Sequence, residues 1–382
     1  MTLKLPIYLD HHATTPVDPR VAETMIPYLT QDFGNASSGT HVFGWKAAEA
    51  VNIARERVAA LLHATDPKEI VWTSGTTESD NLALSGVMHS YKNRGDHLIT
   101  CVTEHRAVLD TAKNLESQGL RVTYLPVDQD GLVDPDDVRK SITDKTILIS
   151  LMLGNNEIGT IHPIAEIGKI AKERSVLFHV DAAQACGKIP VDVKEMGIDL
   201  LSMSAHKVYG PKGIGALYVR ERDPHVRLTP LLFGGGQERG IRPGTLAVQN
   251  IVGMGRAFEI AGQEMAVERE RLKGLRDRLY QGLQGKIKGI QLNGHPTLRL
   301  PGNLNLSFPG VRADALIPKI RDVALSSGSA CSSASAEPSY VIRALGGDEV
   351  RASSSIRFGI GRFNTEEEID YVIKQVAVAV SS

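Results

Sequence analysis

Leu200-Leu201-Ser202-Met203-Ser204-Ala205-His206-Lys207-Val208-Tyr209-Gly210-Pro211-Lys212-Gly213 is the stretch on which the fold turns. It reads as an apolar strand that ends in small and polar residues, with Lys207 standing just before a glycine-rich turn. The apolar run Gly215-Ala216-Leu217-Tyr218-Val219 follows. A lysine in this position suits an aldehyde cofactor, which its amine can hold as an imine. The same shape could be a plain surface hairpin, so the surrounding chain decides between the two.

Outward from that stretch, apolar strands alternate with helical patterns. Strands are predicted at 69–73, 97–102, 120–125, 146–153, 176–180, 200–203 and 215–219. Between them, helical spacing of apolar residues predicts helices over 45–63, 81–87, 106–117, 136–141 and 164–173. This alternation argues for an α/β fold with a mostly parallel central sheet covered by helices on both faces. A long helix over 248–283 is expected, broken near Gly262 or Met265. Beyond Gly285 the elements shorten: 302–308, 313–320, 339–345, 356–358 and 365–378. They read as a smaller α+β domain that the first fifteen residues join.

Bulk composition narrows the function classes. The 382 residues are too many for one small core. Lysine and arginine number 43 against 44 acidic residues, so no basic field attracts nucleic acid or an anionic membrane. The 36 glycines often sit in polar clusters after apolar runs, as βα turns near a ligand do. Three cysteines, Cys101, Cys186 and Cys331, have neither disulfide-framework nor metal-ligand spacing. A reducing compartment fits them. The N-terminus lacks a signal-peptide core, and no run reaches the ~18 apolar residues that span a bilayer. The expectation is a cytoplasmic protein without a metal site.

Several strand ends carry candidate chemistry. Ser74-Gly75-Thr76-Thr77-Glu78 lies between a strand and a helix, where backbone amides and hydroxyls can cradle a phosphate. It is neither a Walker loop nor a dinucleotide fingerprint, and the missing glycine spacing disfavours an NAD enzyme. Asp181 closes another strand. In an open sheet the C-terminal ends of strands share one crevice, so Asp181 and Lys207 should meet there. A carboxylate can keep a pyridine nitrogen protonated while the lysine holds the aldehyde, as pyridoxal phosphate requires. Asn155-Asn156-Glu157-Ile158-Gly159 and His105 follow further strands. An imidazole there can stack on a ring and shuttle a proton, or simply be structural. Cys331 sits in a small, polar segment with few apolar anchors, Ser326 to Pro338, unlike the setting of buried cysteines. Cys101 and Cys186 sit among apolar residues and read as packed.

These segments, in order, resemble the cysteine desulfurases of the class V aminotransferase-like family, pyridoxal-phosphate enzymes of fold type I, and within them the housekeeping iron-sulfur-assembly branch. The resemblance runs from Tyr8-Leu9-Asp10-His11-His12-Ala13-Thr14-Thr15-Pro16 through Thr73 to Asn81, Thr103-Glu104-His105, Asn155 to Gly159 and His179 to Gln184. It continues through Ser202 to Lys207, Gly234 to Thr245, Ser326 to Cys331 and Ser355-Ile356-Arg357-Phe358.

The resemblance implies roles residue by residue. Lys207 would hold pyridoxal 5'-phosphate, Asp181 would pair with its ring nitrogen, and Gln184 would bond its phenolic oxygen. His105 would stack on the ring and assist proton transfer. Thr76, Thr77, Ser204, His206 and Thr245 would bind the phosphate, Thr245 from the other subunit of a homodimer. Asn156 would contact cofactor or substrate, and Arg357 would clamp the carboxylate of L-cysteine. Cys331 would take the sulfur as a persulfide, releasing L-alanine, and pass it to an iron-sulfur scaffold or another acceptor protein. Residues 16–258 would form the large cofactor-binding domain, and 1–15 with 259–382 a small domain carrying Cys331.

Thr76, Ala36 and Pro243 depart mildly from the family pattern. The chain stops at Val378-Ala379-Val380-Ser381-Ser382, so scaffold docking is expected to be weaker or to use another patch. A selenocysteine lyase is the nearest alternative, but elimination of selenium need not use a protein thiol. An aminotransferase has no use for Cys331. A sulfur-relay interaction protein with vestigial activity is disfavoured by the intact Lys207, Asp181 and His105 set.

Overall fold

The computed structural model describes residues 3–328 and 338–381. After a short first strand, β1 (Ile7–Tyr8), the chain forms β2 (Ile70–Thr73), β3 (His97–Cys101), β4 (Arg121–Leu125) and β5 (Thr146–Met152). β6 (Leu177–Asp181), β7 (Leu200–Ser204) and β8 (Gly215–Val219) follow. Among the described residues, β2 to β8 make one sheet in the order β2-β8-β7-β6-β5-β3-β4. β8 runs antiparallel to both its neighbours, and the remaining pairs are parallel. The six strands other than β8 therefore point their C-terminal ends to one side.

Every residue of β3, β5, β6, β7 and β8 is buried, which is why these strands are predominantly apolar on both faces rather than alternating, with a few buried polar residues such as Thr100, Ser150 and Ser202 among them. Successive side chains still divide between two faces. Trp72, Ile99, Ile149, Phe178 and Leu201 pack with the helices Val42–Leu61, Ile164–Glu173 and Val248–Gln284. Val71, Leu98, Leu148, Leu177 and Leu200 pack on the opposite face with Thr76–Ser90 and Arg106–Ser117. Each such large apolar side chain contributes about 1.5–3 kcal/mol on burial.

The expected break in the long helix does not occur: Val248–Gln284 is continuous. Gly255 serves close packing: a Cβ there would lie 2.6 Å from the Ala54 backbone. Gly262 costs about 1 kcal/mol in a helix without being required by its neighbours, since a Cβ there would meet only Leu61 at an ordinary 3.5 Å, yet the helix runs through it.

Further along, β9 (Gln291–Asn293), β10 (Asn303–Ser307) and β12 (Ser355–Gly359) form an antiparallel sheet with β10 central. β11 (Val323–Ala324) pairs in parallel with β1. Ile7 and Leu9 accordingly pack with Leu272, Leu279, Leu304, Phe358 and Val376 in a separate apolar cluster. No helix among the described residues is long and apolar enough to cross a membrane.

Candidate functional site

A cavity of about 380 Å³ opens at the C-terminal ends of the parallel strands. Lys207, His105, Asp181, Gln184, Asn156, Thr76, Thr77, Ser204, His206 and Arg357 all line it. Thr245 does not line it and is exposed. Cys331 lies outside the described residues. Cys101 and Cys186 are buried, and burial pushes each thiol up to about 12, as packed residues require.

Local structure delivers each group. Thr76 begins the helix Thr76–Ser90, which has Gly75 at its N-cap and no side-chain cap. The first amides of that helix are thus open to an anion. Gly215 of β8 passes directly behind the turn: a Cβ there would sit 2.6 Å from Gly75 Cα and 2.6 Å from the Met203 carbonyl. His105 caps Arg106–Ser117, its Nδ1 accepting from Ala107 N at 3.1 Å. That bond fixes the ring and leaves Nε2 to carry the proton in the neutral form. Asp181 ends β6, and its Oδ1 accepts from Ala183 N at 2.9 Å. Lys207 lies in the 3-10 turn that follows β7.

The N-terminal segment completes the wall. Lys207 Nζ donates to His12 O at 2.6 Å and Ala13 O at 2.7 Å. His12 and Ala13 line the cavity, a role the sequence reading did not give them. His206 Nδ1 lies 3.1 Å from Thr14 Oγ1. Burial, then the charges of Lys207, Lys212 and Lys188, lower His206 to about 4 and keep it neutral. From β12, Arg357 donates through Nη1 to Asn156 O and through Nη2 to Asp10 Oδ1, both at 2.8 Å.

Three carboxyls lie buried here, Asp181 in the cavity wall and Asp80 and Glu104 outside it. Burial pushes Asp181 up, opposed by the Ala183 amide and the charges of His105 and Lys207. Burial pushes Asp80 and Glu104 well above the usual carboxylate range, and the charge of Asp181 adds to both. Asp80 lies 3.6 Å from His179 Nε2, but burial holds His179 at about 3 and hence neutral. Of the three, only Asp181 has the charges of His105 and Lys207 acting against its burial, and it is the one that lines the cavity, so it is the carboxyl placed to meet a cation.

The residues fit pyridoxal phosphate. Thr76 Oγ1, Asn156 Oδ1 and Arg357 Nε are buried without a hydrogen-bond partner among the described residues, and buried polar groups are rarely left so. Open helix amides and Thr76 suit a phosphate, buried Asp181 suits a protonated ring nitrogen, and Lys207 suits an aldehyde.

A family model described as aminotransferase class-V matches residues 7–372. The chain is 58% identical over 372 residues to the cysteine desulfurase IscS of Anaeromyxobacter dehalogenans, covering 97% of this chain and 92% of that one. It is 58% identical over 381 residues to the protein of the same name from Pseudomonas aeruginosa, covering 99% and 94%. A solved NIFS-like protein matches with a TM-score of 0.92 at 38% identity, over 99% of this chain and 100% of that one. SspA in complex with cysteine matches with a TM-score of 0.83 at 38% identity, over 94% and 100%.

Proposed function

The chain belongs to the aminotransferase class-V family and to its cysteine desulfurases, and from that premise we propose how its own residues convert L-cysteine to L-alanine and pass on the sulfur. The observation that carries the reading is the convergence of Lys207, Asp181 and His105 on one cavity with an open helix start.

Lys207 would hold the aldehyde carbon of pyridoxal phosphate. Asp181 would hold a proton on the ring nitrogen, Gln184 would meet the phenolic oxygen, and Thr76, Thr77, Ser204 and His206 would hold the phosphate. The bound cofactor supplies an electron sink for charge left at the substrate's α-carbon. Arg357 binds and orients the substrate carboxylate with Asn156 beside it. The Lys207 amine would take the substrate's α-proton, and His105 would carry a proton to or from the substrate. The Cys331 thiolate would attack the substrate sulfur, forming an S–S bond as the substrate's Cβ–S bond breaks; the electron pair of that bond stays with the substrate, which takes up a proton to leave as alanine, and Cys331 keeps the sulfur as a persulfide for an acceptor protein. An iron-sulfur scaffold is the acceptor that the similarity to IscS proteins supports.

The working unit is a homodimer, with Thr245 completing the phosphate site of the partner subunit. Exposed apolar side chains support this: Phe233 is 87% exposed, Phe33 64% and Trp45 57%. Residues 16–258 form the cofactor-binding domain, and 1–15 with 259–382 the small domain. The protein works in the cytoplasm.

Mass analysis after brief exposure to cysteine tests the reading. The peptide containing Cys331 should gain one sulfur atom. Cys331→Ala should keep the visible absorbance of the bound cofactor and lose multiple-turnover alanine release. Alanine release by that variant at the parent rate would refute the sulfur-accepting role.

A further inference from the structure

Gln184 brings to the cavity a carboxamide whose two ends have similar shape and opposite hydrogen-bonding sense. Its Oε1 accepts from Lys188 Nζ at 2.9 Å, and its Nε2 donates to His12 O at 2.9 Å. The two residues are one helical turn apart, in a segment where Ala185 and Cys186 donate to Ala182 O, and Lys188 and Ile189 donate to Ala185 O. Lys188 is not part of the main cavity wall. It lines a cleft of about 20 Å³ behind Lys207, together with His12, Met265 and Glu268. It therefore stands behind Gln184 and acts on the site through it.

A lysine ammonium offers three donors and no acceptor. The end of Gln184 that faces it must be the oxygen. The amino end is then turned toward His12 and the cavity. One of its two N–H groups is engaged by the His12 carbonyl, and the other remains for the cavity side. With the amide reversed, an oxygen would face the cavity and the amino group would face an ammonium, which pairs donor against donor.

We propose that Lys188 is a positioning residue: it locks the Gln184 amide so that an N–H, not the carbonyl oxygen, is presented to the phenolic oxygen of the cofactor. The inference rests on the role given to Gln184 above. The charged and titratable groups facing Lys188 are Lys207 and Arg357, which oppose its charge, Glu268 and Cys186, which support it, and the imidazoles of His11 and His12, which its charge lowers. Burial is the largest influence, and together they bring Lys188 to about 7. Below neutral pH the lock is a pure donor; through and above it the neutral amine can also accept, and the lock loosens.

The test is a pH titration of the visible absorbance of the cofactor-loaded protein, with Q184L, K188M, K188R and the Q184L/K188M double variant beside the parent. A donated N–H favours the ionised phenolic oxygen, so losing it should raise the midpoint by about 0.5–1 unit. K188M should show that rise, and K188R, which keeps a donor-only cation, should restore the parent value. In the Q184L background K188M should add nothing, because a residue acting through Gln184 has nothing left to orient. Equal shifts from K188M with and without Gln184 would show that Lys188 acts by its charge alone and would overturn the inference. So would an unmoved midpoint in K188M when Q184L moves it. An unmoved midpoint in Q184L overturns the role of Gln184 itself, and the Lys188 inference with it.

Discussion

Arg357→Leu should erase the preference for L-cysteine over cysteamine, which has the same thiol and amine but no carboxylate. The magnitude follows from how the guanidinium is held. Arg357 is 1% exposed. Nη1 is engaged by Asn156 O and Nη2 by Asp10 Oδ1, while Nε is buried without a partner among the described residues. A guanidinium carries five N–H donors, so the fork keeps donors for a bidentate carboxylate. Two hydrogen bonds between charged groups contribute about 3–6 kcal/mol gross. Asp10 already shares the positive charge, which places the net value near the lower end. About 3 kcal/mol corresponds to roughly 10²-fold in affinity. Titrating the cofactor-loaded protein with each ligand, in a Cys331→Ala background to stop turnover, gives both dissociation constants from the absorbance change. The parent ratio should be about 10² or more, and the Arg357→Leu ratio near unity. Arg357→Lys, which keeps the charge but not the fork, should fall between them. Measuring the ratio separates recognition from any loss of stability, because both ligands probe the same folded site. A ratio in Arg357→Leu within about threefold of the parent value, well inside the ~10² worked above, would refute the assignment.

Acid should destabilise the protein from about pH 6.5 downward. Burial lowers His11, His162 and His206 to about 4 and His179 to about 3. Between those values and 6.5 the unfolded chain binds more protons than the folded one, so stability falls as pH falls. Asp199, raised to about 6 by burial, and the raised carboxyls Asp80, Glu104 and Asp181 work in the opposite direction, but His12 and His97 are lowered too, which sets six histidines against four carboxyls. The melting temperature should therefore fall by only a few degrees, roughly 5 °C, between pH 7 and 4.5, and a flat or rising profile would refute this. Arg55→Met should lower the melting temperature by roughly 5–10 °C. It strips the partner from Glu238, whose side chain is 3% exposed and also accepts from Trp72 N at 2.8 Å. A shift smaller than about 2 °C, less than 1 kcal/mol corresponds to at this size, would count against that pairing. Phe233→Asp and Trp45→Asp should weaken self-association, read as a fall in sedimenting mass toward the 41.4 kDa of one chain at micromolar protein. Unchanged dimers in both variants would place the interface elsewhere.

What could be read from the sequence, and what could not, divides by how far apart in the chain the cooperating residues lie. The strands were legible because a fully buried strand is predominantly apolar on both faces, and β3, β5, β6, β7 and β8 are, with only small or polar residues such as Thr100, Ser150, His179 and Ser202 among the apolar ones. The first turn of Thr76–Ser90 was not, because Thr76, Thr77 and Glu78 carry no apolar periodicity; they are helical because the rest of the helix packs. The helices Pro19–Met25 and Pro27–Thr30 went unread although Asp18 caps the first. They are too short for periodicity to register. The site splits along the same line. Asp181, Lys207, His105, Asn156 and Thr76 follow from one rule, that parallel strands deliver their C-terminal ends to a common crevice. His12 does not follow from it. It arrives from the start of the chain, and its carbonyl meets the Lys207 amine across 195 residues. Lys188 was missed for the opposite reason. It is near Gln184 in sequence, but its meaning depends on which end of an amide it faces, and that can be read only with the His12 carbonyl in place at the other end. The positions invisible in the sequence are thus those whose chemistry is fixed by a second segment. A search for orphaned or donor-only groups behind the cavity wall finds them only once that segment is in place.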